Sequence, residues 1–144
     1  MDIQSIYQLI LAIFLGALIG FERECKKREA GIQTYSLVTL GTCLFTMISS
    51  ELVNFFIENS GVVFDPIRII HAVAVGIGFI GAGAIFRQRS SVVGLTTAAG
   101  LWVAAAIGIA VGIKLYSLAI FTSFLVLLVL SLFGELEKKI FKKD

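Results

Sequence analysis

Five largely apolar stretches, each about as long as a bilayer is thick, limit what this chain can fold into. A spanning α-helix needs roughly 20 mostly apolar residues, because about 1.5 Å of rise per residue must cross a hydrocarbon core of about 30 Å. The stretches cover residues 3–21, 34–57, 67–86, 92–112 and 115–133. Polar breaks part them: the charged run Glu22 to Glu29, a segment with Asn59, Gly61, Asp65 and Pro66, the segment Arg87 to Ser91, and Lys114, with the tail Gly134 to Asp144 at the end. The fourth stretch starts on polar and glycine-bearing residues, which fit a re-entrant or unwound turn as well as a helix. A composition of 58% hydrophobic and only 15% charged residues, with a mean hydropathy of +0.96, exceeds what a water-soluble domain carries. At 144 residues the expectation is one domain over 1–144, an all-α membrane protein built as a compact bundle of about five transmembrane helices.

The basic residues test that count, because cytoplasmic loops collect Lys and Arg. Five spans with the N-terminus outside place Arg23, Lys26, Lys27, Arg28, Arg87, Arg89, Lys138, Lys139, Lys142 and Lys143 on one side, and leave only Arg68 and Lys114 on the other. The expected topology is therefore N-terminus outside and C-terminus in the cytoplasm. A cleaved signal peptide fits the first stretch poorly, since its positive charges follow the apolar run and no A-x-A-like site appears. Cys25 and Cys43 have no CxxC spacing and read as free thiols. A net charge of +2 gives no ground for a nucleic-acid partner.

Small residues suggest how the helices pack. Ala12, Gly16 and Gly20 recur every four residues in the first span, and Thr96, Gly100, Ala104, Gly108 and Gly112 do so in the fourth. Such ridges let backbones approach in lipid, where little hydrophobic force acts between helices. The third span has small residues on two faces, Ala74, Gly78, Gly81 and Ala82 against Ala72, Gly76 and Gly83, so it is expected between neighbours at the centre. The fifth has no ridge and belongs at the lipid-facing rim. Three ridged helices in so small a bundle lead to a further expectation, a homodimer through the ridges with Glu22 and Arg23 at its cytoplasmic edge.

Ionisable residues gather at the span ends. Glu22 and Arg23 close the first span, with Arg23 seven residues after Gly16 and so on the ridge if the helix continues. Glu51, Asn54, Asp65, Arg68 and His71 gather at the outer ends of the second and third spans. Both sets fit interfacial snorkelling and salt-bridging, and equally a polar constriction or docking site. His71 has no second His or Cys at ligand spacing. The carboxylates are too scattered for a dedicated magnesium cage, although backbone carbonyls or a dimer axis are other ways to assemble one. No catalytic motif appears, and the glycines of GIGFIGAG sit inside a span with no strand before them. Neither an enzymatic activity nor a cofactor is expected.

Four ordered blocks carry a likeness to a known family: GALIGFERE at 16–24, AGIQTYSLVTLG at 30–41, GIGFIGAGAIF at 76–86 preceded by Asp65, Pro66 and Arg68, and GLTTAAGLWVAAAIGIAVG at 94–112. Together they resemble the MgtC/SapB membrane proteins of bacteria. The resemblance implies a multi-pass protein of the bacterial inner membrane, linked to growth in low magnesium and, in pathogenic members, to survival in phagocytes and restraint of the membrane ATP synthase. Glu22, Arg23, Gly31, Thr34, Arg68, Gly76, Gly78, Gly81, Gly83, Gly94, Thr96, Thr97 and Trp102 match the family pattern. Gln33, Tyr35 and Val93 depart from it, standing where an Arg, a His and a basic residue are usual, which puts any anion contact of those side chains in doubt. The soluble C-terminal domain of longer members is not expected here.

Two functions from different classes stay open at this stage. One is a membrane regulator or interaction protein that docks on other helices; the other is an oligomeric small-ion transporter or channel. Small ridges without a midplane ionisable group favour the first.

Overall fold

The computed structural model describes residues 2–60, 65, 67–88 and 91–141, apart from the side chains of residues 57–60, 137, 138 and 141. Gly61, Pro66, Arg89, Lys142 and Lys143 of the expected loops and tail lie outside the described residues. The chain runs α1 (Ile3–Cys25), α2 (Ile32–Ser60), α3 (Ile67–Gly83), β1 (Phe86–Gln88), β2 (Ser91–Val93), α4 (Leu95–Gly112) and α5 (Tyr116–Leu128). A π turn (Val129–Phe133) then leads into α6 (Gly134–Phe141). The all-α membrane fold is as expected. Among the described residues four helical rods are long and apolar enough to cross a bilayer, while α3, with 17 residues, sits at the lower limit of about 17.

The first two helices run a few residues past the expected spans, to Cys25 and over Ile32–Ser60, and two larger differences follow. The third helix stops at Gly83 and the fourth starts at Leu95, because Phe86–Gln88 and Ser91–Val93 pair as antiparallel strands, with Phe86 opposite Val93. The β-branched Val92 and Val93 suit a strand. Gly94 then turns the chain into α4 at φ 89°, with the carbonyl of Ala84 where a side chain would project, so only glycine fits. The second difference is the tail, which is helical as far as Phe141.

Packing corrects the expected centre. The third helix is not sandwiched: Gly76, Gly78 and Gly83 face open space, and only Gly81 meets a neighbour, at Ala98 of α4. The central helix is α4, which touches α1, α2, α3 and α5. The ridges of α1 and α4 both close on α2. A Cβ at Gly16 would come within 2.6 Å of the Tyr35 carbonyl oxygen and 2.9 Å of Ser36 Cα, and one at Gly108 would enter the space of Thr42 Oγ1 and the Thr39 carbonyl.

The face of α2 that receives both ridges carries Tyr35, Thr39, Thr42 and Thr46, all buried. Hydroxyls in a dry interior are costly unless bonded, and here they bond to backbone. Thr39 donates to the Ala12 carbonyl (2.7 Å), Thr42 to that of Val38 (2.9 Å) and Thr46 to that of Thr42 (2.7 Å). At the other end Gln8 donates to the carbonyls of Val111 and Gly112 (2.9 and 2.8 Å) in the last turn of α4, where carbonyls lack partners within the helix; that of Val111 also accepts the N–H of Lys114. On the rim, α5 turns Leu118, Phe121 and Phe124 outward, although Leu127 is partly buried against the core.

Candidate functional site

The end of the bundle where α1 stops gathers most of its buried charge. Gly16 and Arg23 are two turns apart, so the helix that presses Gly16 onto α2 carries Arg23 inward as well, to 2% exposure. A guanidinium there needs a counter-charge. Glu22 supplies it, with Oε2 2.6 Å from Arg23 Nε, and its other oxygen forms an ion pair with Lys26 Nζ at 2.6 Å. Lys26 also donates to the Leu130 carbonyl (2.8 Å) in the π turn, which ties the end of α1 to the end of α5.

A tight return follows. Lys27 adopts φ 51°, its N–H donates to the Glu24 carbonyl, and that of Arg28 donates to the Arg23 carbonyl. Two carboxylates then fasten the turn to other helices. Glu24 Oε2 accepts the N–H of Ile32 (2.9 Å) at the start of α2, and Glu29 Oε2 accepts the Thr97 hydroxyl (2.8 Å) in the first turn of α4. Bonds from its own backbone N–H and from Thr97 hold the Glu29 carboxyl below the usual carboxylate range. A lowered folded pKa means that this tie is complete at neutral pH and is lost only on acidification through that value. Tyr35, buried in α2, reaches α4 with its hydroxyl oxygen 3.5 Å from the Thr97 carbonyl. The result is a clasp of charges joining α1, α2, α4 and the π turn.

Other residues singled out by sequence fall elsewhere. Gly31 lies against the Glu24 carboxylate, and Thr34 is partly exposed one turn into α2. Gly20 abuts Gly31 and Ile32, Gly100 the Tyr35 hydroxyl and Gly112 the side chain of Thr46, while Ala104 is fully buried. Asp65 caps α3, accepting the N–H of Ile67 on Oδ1 (3.0 Å) and that of Arg68 on its carbonyl (3.2 Å). Thr96 and Trp102 are exposed on α4. Glu51, Arg68 and His71 are all exposed and, among the described residues, no ion pair joins them. Among the described residues no three of His, Cys, Asp and Glu gather as metal ligands.

Sequence reasoning missed Lys26 and Glu29. The first was legible as an i,i+4 partner of Glu22. The second was not, because its partner Thr97 lies 68 residues away. The expected dimer edge also changes character: Glu22 and Arg23 pair within one chain, and the ridges of α1 and α4 are already filled by α2.

The MgtC family model matches residues 9–139. The chain is 40% identical over 144 residues to the "Putative magnesium transporter YhiD" of Escherichia coli K12, covering all of this chain and 67% of that protein. It is 36% identical over 129 residues to "Protein SapB" of Bacillus subtilis, covering 89% of this chain and 55% of that one. "Protein MgtC" of Brucella abortus is 42% identical over 106 residues, 74% of this chain and 41% of its own length. No solved structure matches. With the blocks that form the clasp and both ridges inside the matched span, the chain belongs to the MgtC family.

Proposed function

We propose that this chain is a regulator or interaction protein of a bacterial inner membrane, acting in adaptation to low magnesium by docking on other membrane helices instead of passing ions. The observation that supports this reading is the closed interior. α2 is gripped between two ridges at backbone contact, and the hydroxyls of its buried Thr39, Thr42 and Thr46 are spent on backbone carbonyls. A conduction path needs polar groups turned toward a wet lumen, or broken helices near the midplane. The natural partner is another helical membrane protein, the ATP synthase of the family resemblance being the first to test. A second copy would dock on α3 beside Gly78, which is uncovered and outside the α2–α3 contact, and not through α1 or α4.

The printed name of the Escherichia coli relative favours a second reading, magnesium transport. Purified protein in liposomes under a magnesium gradient separates the two. The expected result is flux equal to that of empty liposomes, and flux above that background would establish transport.

The proposed orientation has its own check. Single cysteines at Asp2 and Lys114 in a Cys25→Ser, Cys43→Ala background should react with a membrane-impermeant maleimide in intact cells, and those at Lys27 and Gln88 only after lysis. A protected Asp2 position would overturn the N-outside arrangement.

A further inference from the structure

α2 is packed closely on α1 and α4 but touches α3 at few points, and an apolar cleft of about 730 Å³ lies between α2 and α3. Leu37, Gly41 and Phe45 line one wall, and Val73, Gly76 and Ile80 the other. The α2 wall runs from Thr34 to Phe45, about 16 Å at about 1.5 Å per residue. That is about half of a hydrocarbon core of about 30 Å. A crossing helix from a second protein would need a groove of twice that length, whereas the acyl chain of a lipid in one leaflet needs this one.

The cleft does not end in apolar surface. Thr34 also lines a polar pocket of about 330 Å³, shared with Lys27, Arg28 and Gln33. The two carboxylates on its wall are engaged, Glu24 by the N–H of Ile32 and Glu29 by Thr97. Lys26 is taken by Glu22 and Leu130. Lys27 and Arg28 are exposed and, among the described residues, form no salt bridge, although Arg28 is near enough to Glu29 to help hold its carboxyl below the usual range. An apolar slot one leaflet deep thus opens at its polar end beside two exposed cations that no salt bridge occupies among the described residues.

We propose that the cleft and pocket together bind one anionic glycerophospholipid, with an acyl chain between α2 and α3 and the phosphate beside Lys27 and Arg28. A net negative headgroup satisfies both cations, while a zwitterionic one brings its own ammonium to compete with them. Thr34, which lines both the cleft and the pocket, and Gln33 in the pocket wall add a hydroxyl and an amide as donors.

The test is native mass spectrometry of the full chain in mild detergent, titrated with dioleoylphosphatidylglycerol or with dioleoylphosphatidylcholine. The wild type should prefer phosphatidylglycerol by about tenfold, as two cations close to a phosphate allow. Changing Lys27→Ala and Arg28→Ala together should reduce that preference to about twofold or less, whereas Lys139→Gln on α6 removes one charge and should leave it intact. Both residues are exposed, so a matched melting temperature of the double variant would exclude misfolding. Gly76→Phe should lower retention of both lipids by filling the slot, in open space where the fold tolerates a side chain. Equal retention of the two lipids by the wild type would overturn the proposal. So would full competition by inorganic phosphate, which would reveal a free-anion pocket, or a dimer mass that Gly76→Phe abolishes without changing lipid retention, which would assign the slot to a second copy.

Discussion

Gly108→Leu should cost the protein at least about 3 kcal/mol, a large share of the stability of a small bundle. The size follows from what stands opposite. Thr42 Oγ1 and the carbonyl of Thr39 occupy the space that even a methyl group would need, and a Thr39 backbone held by its helix cannot move as a side-chain tip can. Separating α4 from α2 would also strip contacts from Ala104, Ile107 and Val111, all nearly or fully buried. Gly16→Leu should do the same on the other side of α2, against Tyr35 and Ser36. Gly78→Leu, in open space on α3, is the internal control and should change stability by less than about 0.5 kcal/mol. Phe124→Leu serves the same purpose on α5, where Leu127 does not, because Leu127 partly packs on the core. Retention of monodisperse protein after graded heating in detergent reads all four. A fold that tolerates Gly108→Leu as well as Gly78→Leu would mean that α2 and α4 do not meet at backbone contact.

The contrast between these glycines explains how much could be read in advance. Period-four spacing matches the packed stripes of α1 and, from Gly100 onward, of α4, because regular small residues leave the same stripe whatever covers it, whereas Thr96 at the start of the expected α4 ridge is exposed. It could not name what covers them. The partner stripe on α2, Tyr35, Thr39, Thr42 and Thr46, has helical spacing too, but threonines in a span read first as polar interruptions, and only the bonds to Ala12, Val38 and Thr42 show that they are spent. The glycines of α3 misled for the opposite reason, since small size permits close packing without requiring it, and Gly76, Gly78 and Gly83 are not covered. The hairpin at 86–93 was signalled only by the polar, glycine-bearing start of the fourth stretch. Ties such as Glu29 to Thr97 or Gln8 to Val111 join residues far apart in sequence, and no local pattern announces them.

Glu22→Ala is expected to destabilise the protein by about 3–5 kcal/mol, because it leaves the Arg23 charge buried with its bonded partner gone. Arg23 is 2% exposed, and the one hydrogen bond found for its side chain among the described residues goes to Glu22. Glu22 also pairs with Lys26, so the loss should free the Lys26 side chain and loosen its tie to Leu130. The discriminating variant is the double one. If the cost comes from an uncompensated charge, then Arg23→Met in the Glu22→Ala background should restore at least about 1 kcal/mol, since the burial of two ions roughly offsets their attraction and an apolar side chain of similar length needs no partner. If Glu22 instead matters through contacts of its own, the two losses should simply add. Denaturant titration in mixed micelles, reading all three variants against wild type, distinguishes these outcomes. Additive losses would show that the pair is two separate anchors, whereas recovery in the double variant would show a charge that the fold keeps buried at a net cost. A cost retained in that way, in a block that matches the family pattern at both positions, is what a site kept for docking or switching requires, and packing alone gives no reason for it.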